Sequence, residues 1–77
     1  MNPQTISEFL RARPFVPFRV YTSDGSSFEI KHPEMAMLTR MALVVARPVA
    51  DPTREIPARA DLVSPLHIVR LEPLIAA

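Results

Sequence analysis

Two histidines, a set of arginines and scattered carboxylates carry whatever chemistry this chain performs, and their spacing limits what that chemistry can be. His67 stands in "SPLHIVRLEP", residues 64–73, just ahead of an alternating apolar–polar run that stops at Pro73. An imidazole in that position either bonds backbone at a corner or offers itself to a base or phosphate. His32-Pro33-Glu34 has the His-x-Glu spacing of one half of a zinc deaminase motif, whose other half is a cysteine pair. The chain has no cysteine, and its histidines and carboxylates show no ligand spacing, so no metal site is expected. His32 reads instead as the last residue of a strand before proline. Ser, His and Asp all occur, but without a strand–nucleophile–helix elbow or a glycine-built oxyanion loop. One glycine also excludes phosphate-cradling loops of the Walker or Rossmann kind. The expectation is a non-catalytic protein without a cofactor.

The cations are mostly arginine: of nine, only Lys31 is lysine. Arginine suits planar, bidentate contact with phosphate or carboxylate, although a genome rich in G and C produces the same bias. Arg11, Arg13, Arg19 and Arg40 are the candidate basic surface. Arg11 and Arg13, beside Phe15, have the makings of a phosphate-gripping rim with an aromatic neighbour. The plainer reading is dispersed, solvated charge, with Arg19 paired to Glu29. A net charge of +1 gives no strong field toward nucleic acid or membrane. No apolar run approaches the roughly 20 residues of a membrane span, and no signal peptide is visible, so the expected location is the cytoplasm.

The elements that hold these groups must come from a short chain. Seventy-seven residues with 48% hydrophobic side chains make one domain, residues 1–77, near the lower size limit for folding without staples. "TISEFLRARP" predicts a helix over residues 5–12, with Thr5 and Glu8 at capping-box spacing and Ile6, Phe9 and Leu10 on one face. Pro14 stops it.

"PFRVYTSDGSSFEIKH" predicts a hairpin over residues 17–32. A two-residue Asp-Gly loop would set Val20 opposite Glu29 and mix the faces. A three-residue loop, Ser23-Asp24-Gly25, pairs Thr22 with Ser26, Val20 with Phe28 and Phe18 with Ile30 on the core side, and Arg19 with Glu29 outside. That loop needs a left-handed residue at its end, where Gly25 stands; Asp24 and Gly25 are the structural turn residues.

Pro33 and Glu34 predict one helical turn through Leu38. "MALVVA", residues 41–46, reads as a strand buried on both faces. Residues 48–58, with three prolines in "RPVADPTREIPARA", read mainly as a loop, with an irregular strand around Ile56. Residues 60–72 read as two strands broken at Ser64-Pro65 and resumed at Ile68. In the second, Ile68, Arg70 and Glu72 point one way and Val69 and Leu71 the other. About five short strands after a helix predict a mainly β fold, a small SH3-like bent barrel.

This order of elements resembles the Sm-like family, in particular its bacterial Hfq and Rof types. "FLRARPFVPFRVYTSDGSSFEI" is similar to the family's helix, basic linker and first hairpin, and "LHIVRLEP" to its corner and last strand. The resemblance implies an Sm-like barrel of about five strands that joins neighbouring copies through strand edges into a ring. It also implies RNA binding through Arg11 and Arg13 on a lateral rim and His67 at a pore. The sequence departs from the Hfq pattern at Leu66, where that type has lysine beside the histidine, and "HPEMAMLTR" is longer than the usual second turn. The Rof type binds a protein rather than RNA. Two partner classes follow: RNA, or another protein held at an exposed strand edge or at "HPEMAMLTR". Apolar edges over residues 41–46 or 68–71 favour a homo-oligomer, whereas edges blunted by proline leave a monomer.

Overall fold

Asn2, not Thr5, caps the N-terminal helix. In the computed structural model, which describes residues 1–47 and 59–75, helix α1 spans Pro3–Arg11. Asn2 Oδ1 accepts the Gln4 N–H at 2.9 Å, and Pro3 takes the first helical position. Asparagine is a better cap than threonine, and proline is pre-set for the first turn, so the expected Thr5–Glu8 box falls inside the helix. The predicted stripe holds: Ile6 is fully buried, and Phe9 and Leu10 pack partly buried against the core. Phe9 meets Phe18 edge to face, with ring centroids 5.2 Å apart.

The hairpin has the expected register. Strands β1 (Phe18–Thr22) and β2 (Ser27–Ile30) pair Phe18 with Ile30, Arg19 with Glu29 and Val20 with Phe28. The Thr22 N–H donates to the Ser26 carbonyl at 3.0 Å and the Gly25 N–H to Thr22 at 3.1 Å, closing the three-residue loop. Gly25 has φ +88°, the left-handed conformation that a Cβ disfavours.

The next segment differs from its prediction. Only Pro33–Met35 forms a turn, of the 3₁₀ type, and Ala36–Leu38 continues as strand β3 rather than helix. Antiparallel pairing decides this, because β3 finds a partner in β4 (Leu43–Arg47). Strand β4 is buried on one face only, through Leu43 and Val45. Strand β5 (Arg59–Val63) pairs with β4 on its other side. The expected loop over 48–58, with its strand around Ile56, lies outside the described residues.

A second 3₁₀ turn, Pro65–His67, leads into β6 (Ile68–Pro73), which pairs with β1. The break at Ser64-Pro65 is therefore where it was expected. The alternation beyond it is not. Thr22 faces Ile68 while Tyr21 faces Arg70, so Val69 is an extra, bulged residue, and Ile68 and Leu71 both reach the core.

Among the described residues, six strands form two antiparallel three-stranded sheets, in the orders β2-β1-β6 and β3-β4-β5, with one helix. The described residues form no closed barrel of five strands. The chain crosses between sheets at β2–β3 and at β5–β6. Each crossing is a single 3₁₀ turn opened by a proline, Pro33 or Pro65. Proline fixes φ and gives up an N–H that the ladder has no use for there. Phe18, Val20, Ile30 and Ile68 from one sheet meet Leu43, Val45 and Val63 from the other, with Ile6 of the helix, in one core.

Candidate functional site

His67 closes the 3₁₀ turn before β6, exposed and tied to the hairpin tip. Its carbonyl accepts the Ser23 N–H at 2.8 Å, and its Nδ1 lies 3.3 Å from the Ser23 hydroxyl. The turn itself is capped by Ser64, whose hydroxyl accepts the Leu66 N–H at 3.3 Å. His67 borders a cleft of about 420 Å³ between the hairpin tip and β5, together with Ser23, Asp24, Asp61 and Ser64. The Asp24 carboxylate is turned into its own loop, where it accepts from the Thr22 hydroxyl and, at 3.0 Å, from the Ser26 N–H. The Thr22 bond, with the Ser26 bond behind it, holds that carboxyl below its ordinary value of 3.8. Asp24 is therefore a turn residue, as expected from its place before Gly25, and it does not orient the Ser23–His67 pair.

Arg11 and Arg13 lie at the end of α1, and only one of them faces a groove. Arg11 is exposed and borders a groove of about 930 Å³ between the helix and the β3–β4 turn, shared with Glu8, Leu38 and Arg40. The Arg13 guanidinium folds back on the helix end, donating to the Leu10 carbonyl at 3.2 Å and to Ala12 at 2.8 Å. It satisfies carbonyls that the last turn leaves without partners. Phe15 packs against the core, its ring 6.0 Å from Phe18, and so its ring is not offered to a stacked base. Arg11 and Arg40 border the same groove, and His67 borders a different cleft.

The two outer sheet faces differ in chemistry. On the β2-β1-β6 sheet the outward residues form a polar network. Arg19 reaches Glu29, and also Glu72 at 3.5 Å; Tyr21 donates to Glu72 at 3.0 Å, and Arg70 lies 4.1 Å above the Tyr21 ring. Its bonds to Tyr21 and Glu29 push the Arg19 pKa further up, and Arg19 in turn holds the Glu29 carboxyl low.

On the other sheet, the register aligns Met37 with Val44 and Val44 with Leu62, an apolar row across all three strands. Met37 is 61% and Leu62 75% exposed. Reading 41–46 as doubly buried hid this row, and Ala36-Met37-Leu38, apolar throughout, carries no alternation that would reveal it.

Among the described residues, no three His, Asp or Glu side chains gather as a metal site, and no helix is long and apolar enough to cross a membrane. No family model, no curated protein and no solved structure matches this chain.

Proposed function

We propose that this chain is a non-catalytic interaction module, an open Sm-like or SH3-like bent barrel that works by pairing its strand edges with other chains. The single observation that carries this reading is the placement of β5 and β6. They follow one another in sequence, yet β5 is at the edge of one sheet and β6 at the edge of the other. An edge strand is a template for a further strand. β5 and β6 lie on different sheets, so β6 of one copy meets β5 of the next, a head-to-tail contact that closes into a ring. The bent-barrel reading is supported by the two proline-opened turns that pass the chain from sheet to sheet. Val69 bulges from the β6 edge and is 60% exposed, so a lysine there blunts the edge without touching the core. Light scattering of the purified protein tests the reading. A mass of several chains that falls on Val69→Lys supports edge assembly, and a mass that ignores the substitution overturns it.

RNA binding is the second reading, favoured by Arg11 and Arg40 both bordering one groove. Such binding weakens steeply as salt rises, because phosphate contacts release counterions. It should also fall on Arg11→Ala with Arg40→Ala while circular dichroism stays unchanged. Binding that ignores both removes the groove, and the RNA reading with it.

A further inference from the structure

We propose that the outer face of the β3-β4-β5 sheet is a docking surface for a second copy of this chain. The two faces pack about a twofold axis along β4, so that Met37 lies against the partner's Leu62. The surface is distinct from the strand edges, and the inference does not depend on edge assembly.

The argument starts from which side chains point outward. With Leu43, Val45 and Val63 buried, alternation sends Val44 and Ala46 of β4, Ala60 and Leu62 of β5 and Met37 of β3 to the other face. None of these five side chains carries a charge or a hydrogen-bonding group. The regularly paired outward positions of the first sheet are Arg19, Tyr21, Ser27, Glu29, Arg70 and Glu72, all polar; the bulged Val69, 60% exposed, is the apolar exception. An antiparallel sheet with one face on the core normally solvates the other with polar side chains, and within one chain only the second sheet departs from this.

The character of the face selects its occupant. A surface with no charge and no donor offers nothing to hold a charged or polar ligand, and water is displaced from it best by a surface of the same kind. Among the described residues this is the one sheet face of that kind, and a second copy supplies its complement. A twofold axis along the central strand exchanges the two flanking strands, setting β3 of each copy over β5 of the other in an isologous contact. Sheets packed face to face stand about 10 Å apart, room for two layers of side chains. Burying these side chains on both copies removes on the order of 1,000 Å² from water, the size at which specific interfaces begin.

The experiment is a charge exchange read by light scattering. Leu62→Asp and Met37→Lys each place buried, unpaired charges in the proposed contact, two per pair of chains. Each variant is therefore expected to halve the native mass. An equimolar mixture of the two is expected to restore it, because a mixed pair joins the introduced lysine to the introduced aspartate and leaves the other Met37–Leu62 contact intact. Leu62→Ser gives the same loss without a new charge, and circular dichroism confirms that each variant is folded.

A native mass equal to that of the variants overturns the proposal, and leaves the face to a different apolar protein or to solvent. Dissociation of both variants without recovery on mixing overturns it as well, because the axis is then wrong. Val69→Lys separates this contact from edge assembly: it should remove ring contacts and leave the face-to-face pair.

Discussion

Ser23 and His67 are joined twice, once through backbone, N–H to carbonyl at 2.8 Å, and once through side chains at 3.3 Å. The hairpin tip is thereby fastened to the corner that starts β6. The backbone bond depends only on the position of residue 67, whereas the side-chain bond depends on its identity. His67→Ala should cost no more than about 1 kcal/mol, the net value of one exposed hydrogen bond. Ser23→Pro, which deletes the donor of the backbone bond, should cost more. Urea unfolding of the two variants checks the order; a larger loss for His67→Ala would give its imidazole a structural role that this geometry does not assign.

Gly25 has φ +88°, and a Cβ built there meets nothing within 4 Å. The cost of a side chain is therefore conformational and not steric. Gly25→Ala should destabilise by about 1 kcal/mol, and Gly25→Asn by less, since asparagine tolerates the left-handed region. Thermal melts of both variants measure the difference.

Asp24 contributes to stability only while ionised. Its folded pKa is below the ordinary value of 3.8, so the unfolded chain takes up the proton first as acid is added. The contribution is complete above the ordinary carboxylate range. It is lost as pH falls from there through the lower, folded value. Asp24→Asn should thus be less stable than the wild type at pH 6, and the gap should close in strong acid. Melting temperatures across that range test the sign; a gap that widens in acid would reverse it.

Leu43 and Leu62 lie on opposite faces of one sheet and should respond differently to truncation. Leu43 is fully buried, and Leu43→Ala should cost about 2–5 kcal/mol. Leu62 is 75% exposed, and Leu62→Ala should change the stability of a single copy by no more than about 0.5 kcal/mol. Unfolding of Leu62→Ala at several protein concentrations separates folding from association. A concentration-dependent loss assigns the leucine to a contact between copies.

The hairpin and the helix face were legible in the sequence because local rules decide them. A period of two, one glycine where φ must be positive and opposite charges across a strand pair leave a single register for residues 18–30. The helix boundary was less clear, since Asn2-Pro3 and Thr5–Glu8 are both valid starts and the stronger cap prevails. Proline marked each passage between sheets, at Pro33 and Pro65, although the turn at Pro33 ends at Met35 instead of running to Leu38.

The remaining features required tertiary structure. Ala36–Leu38 is too short to declare itself a strand, and becomes one because β4 offers a ladder. The Val69 bulge exists only relative to β1, so strict alternation grouped Ile68 with Arg70 and Glu72, whereas Ile68 is buried in the core. Arg13 and Arg11 look equivalent in sequence, yet one closes the helix end and the other faces a groove with Arg40, across a distance in sequence that only folding spans. The apolar row of Met37, Val44 and Leu62 is likewise a product of register between three separate strands. Sequence by itself determines contacts between near neighbours; which distant residues share a surface is set by strand pairing, and on this chain that surface is where association is proposed.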